Sequence, residues 1–464
     1  MCHCMLQAQE NAGDGPPMPA VQVLVPGLPA LLQHQPSQRS WLPWVQEKLG
    51  RAPPQPPLRG PLSTVRRAVF IGVHGWSVFG GIQQDMAPVS LGFAANLSAT
   101  LDALLAESGL DAGSVERQLV GLVGGGKIAD RVHQCTAQLA QHRAAIEAAD
   151  LVVVAAHSQG GVVAAMLLEA LLRGGEPWLR PAKQRVALLT MASVSHGPFA
   201  DGVSDYFSAT RELFELNSSI SGVGASAMQS TAAILRAGVR VLAVASFADQ
   251  VVPLFSAVLH GLDAAPTAQR AAWDPRTPCR LRGNLMRGVA YTAADSAGPN
   301  GVVLRLAHLC LAVRNAGEFA DDLLVLLSSY ARGSLLATGA LSGGAHSALH
   351  SSQGSRSLFS LALQWALLER AEPDVAAFPC SVVATSAATV LAPLLTQKFA
   401  KTAHAQALLV EQAGRLVATA RGLGMGSAVQ AIGMELGEIA KQKPSELQAL
   451  AVSLHGSFAA RPKM

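Results

Sequence analysis

Charged residues are scarce in this chain. Asp, Glu, Lys and Arg make up 14% of 464 residues against 50% hydrophobic types, which excludes a disordered chain or a charge-laced coiled coil and leaves a globular one. Lys and Arg (35) barely outnumber Asp and Glu (31), and no run of five basic residues occurs, so no nucleic-acid partner is expected. Cysteine is equally sparse. Positions 2, 4, 135, 279, 310 and 380 provide neither a disulfide framework nor paired metal knuckles, which fits a reducing compartment. Cys2, His3 and Cys4 offer a metal only part of a ligand set, and no second cluster supplies the rest. Secretion is not expected, because Glu10 and Asp14 precede any Lys or Arg and prolines interrupt the apolar stretch from Val21 to Leu32. The expected location is the cytoplasm or the surface of an intracellular membrane.

What is present divides the chain in three. Residues 1–60 are rich in Pro and Gln and read as a poorly packed leader, with Trp41, Pro43 and Trp44 as an aromatic island. Residues 61–372 alternate short apolar runs with helical periodicity. Strands are expected at Val69–Val73, Val115–Val120, Leu151–Ala156, Arg185–Met191 and Val239–Ala245, with helices around Leu101–Leu105, 130–149 and Gly161–Leu172. Continuous apolar strands between helices imply an α/β fold, a mostly parallel sheet covered on both faces. Residues 373–464 are Ala-rich and helical: Leu409, Ala413, Leu416, Val417 and Ala420 share one face. Within that tail, Val375–Gln397 has no formal charge and reads as a membrane span or as a buried or interfacial helix.

The chemistry gathers at strand ends. Leu151–Ala156 runs into His157-Ser158-Gln159-Gly160-Gly161 and a helix, the strand–nucleophile–helix pattern of a nucleophile elbow, with small Ala156 and Gly160 where strand and helix crowd together. Acyl transfer needs two backbone N–H groups at the developing oxyanion. Gln159, after the nucleophile, and Trp76 of His74-Gly75-Trp76, after the first strand, stand where those donors belong. Asp249 follows the strand Val239–Ala245, the place for an acid that orients a histidine. His346, in Gly343-Gly344-Ala345-His346-Ser347, is the expected base, with His350 its main competitor; His308 sits in an apolar helical run and reads as a core residue.

Together these pieces resemble the α/β-hydrolase superfamily, and more narrowly a little-characterised lipase-like family described mainly from fungi. The resemblance rests on Val73-His74-Gly75-Trp76, Gly125-Gly126-Lys127-Ile128-Ala129-Asp130-Arg131-Val132, His157-Ser158-Gln159-Gly160, Ala209-Thr210-Arg211-Glu212-Leu213-Phe214-Glu215, Ala248-Asp249-Gln250-Val251-Val252-Pro253-Leu254 and Gly344-Ala345-His346-Ser347, across roughly residues 65 to 370. It implies an α/β-hydrolase fold with helical insertions and a C-terminal helical extension, and Ser158, Asp249 and His346 as a catalytic triad.

Two glycine-rich stretches are decoys. Gly121–Lys127 approaches a phosphate loop, but Ile128 stands where Ser or Thr must hold magnesium. Gly422-x-Gly-x-Gly426 has no preceding strand. The expected function is a serine esterase or lipase acting on a hydrophobic carboxylic ester, without metal or cofactor. Helical insertions around 204–236 and 300–335, with Phe207, Phe214, Leu216 and Leu304, are expected to cover the pocket. The competing class is a non-catalytic protein of the same fold that binds a lipid or a partner, with the tail in peripheral contact with a membrane. The sequence carries no sign of an oligomeric state.

Overall fold

A computed structural model describes residues 22–24, 62–76, 86–173, 176–198, 208–218, 221–246, 249, 251–259, 287–294, 306, 309–310, 313, 323–324, 327, 346, 352–367, 384–385, 403–442 and 445–459. In chain order the main elements are β1 (Gln22–Leu24), β2 (Arg67–Val73), α1 (Ala87–Glu107), β3 (Glu116–Leu122), α2 (Ile128–Leu139), α3 (Arg143–Ala148), β4 (Leu151–His157), α4 (Gln159–Leu172), β5 (Arg185–Met191), α5 (Ser208–Glu215), α6 (Gly222–Arg236), β6 (Arg240–Ser246), α7 (Leu254–Ala257), β7 (Arg287–Ala294), α8 (Ser352–Leu367), β8 (Ala384–Thr385), α9 (Ala403–Gly422), α10 (Gly426–Gln442) and α11 (Ser445–Ala459).

The sheet runs β1-β7-β6-β5-β4-β2-β3, with β8 also on β7. Strands β3 to β7 of this path are parallel, and β1 adds an antiparallel edge through Gln22↔Tyr291 and Leu24↔Val289. Parallel strands must be covered on both faces, and β4 meets that demand in full, since all seven of its residues are buried. Alternation sorts its side chains. Val152, Val154 and Ala156 face one layer, with α2, α4 and α6; Leu151, Val153 and Ala155 face the other, with α1 and α8. Helix α1 is long and apolar enough to cross a membrane, but its Phe93, Ala94, Leu97 and Leu101 are buried in the second layer, as in a core helix.

Several expectations change. The leader supplies a sheet strand at Gln22–Leu24. The helix expected over 130–149 is two helices joined by a tight turn at Ala140–His142. Helix α6 lies in the connection from β5 to β6 and packs along α4, with Ala227, Ile234 and Leu235 in the core. A single helix over Val375–Gln397 is excluded by Ala384–Thr385, which pair in parallel with Ala293 and Ala294 of β7. The rest of that stretch, the Trp41–Trp44 island, Cys2-His3-Cys4, His308 and His350 lie outside the described residues.

Candidate active site

Strand β4 and helix α4 meet at Ser158, whose backbone is forced to φ 54° and ψ −127°. A non-glycine residue at positive φ is strained, and here the strain is what aims a side chain out of a sharp strand-to-helix turn. The close approach is measurable at Gly160, where an added Cβ would lie 2.3 Å from the His74 carbonyl oxygen and 2.6 Å from that of Val73. Only glycine lets α4 start against the end of β2.

Asp249, beyond the end of β6, is 2% exposed. Its Oδ1 accepts the backbone N–H groups of Val251 and Val252, each at 2.8 Å, which leaves Oδ2 for a different donor. That donor is His346 Nδ1 at 2.8 Å, and the other ring nitrogen, Nε2, stands 3.1 Å from Ser158 Oγ. With the carboxylate holding the proton on Nδ1, Nε2 is the nitrogen left to accept from the hydroxyl. His157 Nε2 donates to the His346 carbonyl at 2.9 Å, and the two rings lie 4.8 Å apart, so the residue before the nucleophile also holds the base. The three residues expected as nucleophile, acid and base are thus brought into one hydrogen-bonded line.

The two expected oxyanion donors flank this line. Gln159 is the first residue of α4, so its N–H is one of the helix's unpaired N-terminal donors. Trp76 follows Gly75, which packs so closely that an added Cβ would lie 3.1 Å from Ser158 Cβ.

Behind these donors lies a polar cluster absent from the sequence assignment. Arg131 of α2 is 1% exposed and donates to three uncharged oxygens: Nη1 to Gln159 Oε1 at 2.5 Å and to the Gly75 carbonyl at 3.2 Å, and Nη2 to the His74 carbonyl at 2.8 Å. Burial lowers its pKa to about 10, still leaving it charged at neutral pH. Burial, reinforced by the Arg131 charge, lowers His74 to about 4. The neutral imidazole therefore uses an Nδ1–H to donate to the Gly75 carbonyl at 2.6 Å. At the start of α2 the Ile128 N–H donates to Glu212 Oε2 at 2.8 Å, and burial raises the pKa of that carboxyl. A legible signal existed for Arg131: it shares a stripe with Ile128, Cys135 and Leu139, all buried, so an arginine sits at an apolar position of an amphipathic helix.

Residues 58–276 match the model of the YMC0/YMC35 alpha/beta hydrolase domain. That match, together with the parallel sheet flanked by helices, gives the chain an α/β-hydrolase fold. No curated protein matches it. The matched segment of this α/β-hydrolase contains Trp76, Arg131, Ser158, Gln159, Glu212 and Asp249, whereas His346 lies beyond it and reaches the same point from the chain between β7 and α8. Among the described residues of the hydrolase no three His, Cys, Asp or Glu side chains converge as a metal site.

Proposed function

We propose that this α/β-hydrolase is a serine esterase that cleaves a hydrophobic carboxylic ester through an acyl-enzyme. The observation that supports it is the Ser158–His346–Asp249 line on a strained Ser158. In the proposed reaction His346 Nε2 takes the hydroxyl proton as Ser158 Oγ bonds to the ester carbonyl carbon, and the Asp249 carboxylate stabilises the resulting imidazolium. The carbonyl oxygen becomes an oxyanion received by the Gln159 and Trp76 N–H groups. Collapse breaks the bond to the alcohol oxygen, which leaves with the proton from His346. Water then attacks the acyl-enzyme by the same route and regenerates Ser158.

Support for an apolar acyl group comes from the loops themselves. Trp76, Val251 and Phe255 are half-buried on the segments that carry the oxyanion and acid residues. Leu216, expected to line the pocket, is 1% exposed and belongs to the core; Phe207 and Leu304 lie outside the described residues. A fluorophosphonate probe, followed by peptide mapping, tests the proposal. Labelling at Ser158 together with turnover of p-nitrophenyl esters that rises with acyl chain length is the expected result. A folded protein that neither labels nor turns over would instead be a non-catalytic binder of lipids or partners.

A further inference from the structure

We infer that Arg131 is a positioning residue for the oxyanion site: its guanidinium fixes the Gly75–Trp76 peptide so that the Trp76 N–H faces the reacting carbonyl. The inference rests on the esterase reading above and deepens it.

A trans peptide directs its C=O and N–H to opposite sides, so holding one fixes the other. Gly75 contributes the carbonyl of that peptide and Trp76 the N–H. With no Cβ at Gly75 and no ladder partner for a loop beyond β2, little intrinsic to the chain resists a flip of this plane. The Gly75 carbonyl, however, accepts from both His74 Nδ1 at 2.6 Å and Arg131 Nη1 at 3.2 Å, which occupies both of its lone pairs. Arg131 Nη2 fixes the preceding peptide through the His74 carbonyl at 2.8 Å. The same Nη1 holds the side chain of Gln159, the residue that carries the second N–H, at 2.5 Å. One planar fork therefore ties both donors into a single frame.

The charge has a separate logic. Among the described residues Arg131 is the largest fully buried side chain, and each hydrogen bond it donates to them ends on a neutral oxygen. Burying a guanidinium without a counter-charge is costly, and an apolar side chain would staple α2 to the sheet at less cost. Among the described residues no carboxylate pairs with it, and the ester carbonyl brings a negative charge to the frame it holds on becoming an oxyanion. The cation is then worth more in the transition state than in the resting enzyme, which is the condition for catalysis.

The test compares Arg131→Met and Arg131→Lys with the wild type, with kcat expressed per Ser158 labelled by the fluorophosphonate. The expected result for Arg131→Met is a fall in kcat of about 10²-fold with KM nearly unchanged, a parallel slowing of Ser158 phosphonylation, and an unmoved acidic limb of the pH–rate profile. Arg131→Lys, which keeps the charge in the slot but loses the fork, should fall between. A purely structural staple would lower the melting temperature and leave kcat per labelled site alone. If Arg131→Met does not fold, Arg131→Lys decides alone. A kcat per labelled site within about threefold of wild type in the folded variant overturns the inference. Failure of the esterase reading is seen separately, as a wild-type protein whose Ser158 is neither labelled nor required for turnover.

Discussion

A serine hydroxyl is a weak nucleophile until a base stands ready to take its proton, and the 3.1 Å from His346 Nε2 to Ser158 Oγ is the distance on which the proposed chemistry depends. Ser158→Ala should lower ester turnover by about 10⁴–10⁶-fold without unfolding the protein, and His346→Ala should cost nearly as much. His350→Ala should cost less than about tenfold; the reverse ranking in steady-state assays would move the base. Those residues were legible because each follows a strand or lies in a small-residue loop in the order Ser, acid, His. Arg131 and His74 were not assigned roles, because the sequence does not reveal which carbonyls a buried donor will meet. His74 makes its own testable statement. Its folded pKa of about 4 lies below the ordinary 6.5, so between those values the unfolded chain binds the extra proton and the native fold does not. Its contribution to stability is therefore present above pH 6.5 and is lost as pH falls toward 4. In denaturant melts, His74→Asn should show a shallower loss across that window, and an unchanged slope would mean that His74 is not held neutral.

Elements were easier to read where burial is continuous. Strands β4, β5 and β6 emerge directly from Leu151–Ala156, Arg185–Met191 and Val239–Ala245, because a strand covered on both faces writes an unbroken apolar run. Strand β7, Arg-Gly-Val-Ala-Tyr-Thr-Ala-Ala, has no such run, and the edge strands β1 and β8 are too short to leave a pattern. The glycine-rich stretch before α2 also takes its meaning at this scale. Where a phosphate loop would present its helix N-terminus to an anion, the Ile128 N–H is already bonded to the Glu212 carboxylate from α5. That bond joins α5 to α2, and α2 carries Arg131. Burial raises the folded pKa of Glu212, so the native state retains a proton that the unfolded chain has released. Its stabilising effect is thus full below the unfolded carboxyl pKa and is lost as pH rises through the folded one. Glu212→Gln keeps an acceptor for Ile128 without the charge. It should be at least as stable as the wild type near neutral pH and should lack the wild type's decline with rising pH in thermal melts; a clear destabilisation would show that the ionised carboxylate is the form the fold requires.

At the scale of the whole molecule, the question is what the C-terminal helices do for the hydrolase. Ala413, Leu416, Val417 and Ala420 of α9, Val429, Ile432 and Leu436 of α10, and Leu454 and Phe458 of α11 are buried and belong to the same apolar cluster as one face of the sheet. At about 25 cal/mol per Å² of apolar surface, uncovering several such side chains would take away a substantial part of a marginal stability. The link is also made by backbone, since Ala384–Thr385 pair with β7. Deleting residues 373–464 should therefore give an aggregated or poorly soluble product; a soluble truncation with wild-type turnover and melting temperature would show the tail to be separable. The same full-length protein tests the proposed peripheral membrane contact. Because the apolar faces of α9 to α11 are engaged internally, contact has to come from residues outside those faces, and Met434, 60% exposed on α10, and Val452, 53% exposed on α11, are the large apolar side chains the described tail presents. Flotation with liposomes should then be weakened by Met434→Glu with Val452→Glu while turnover of a soluble ester stays at the wild-type level. Undiminished flotation of that variant would take the membrane contact away from α10 and α11.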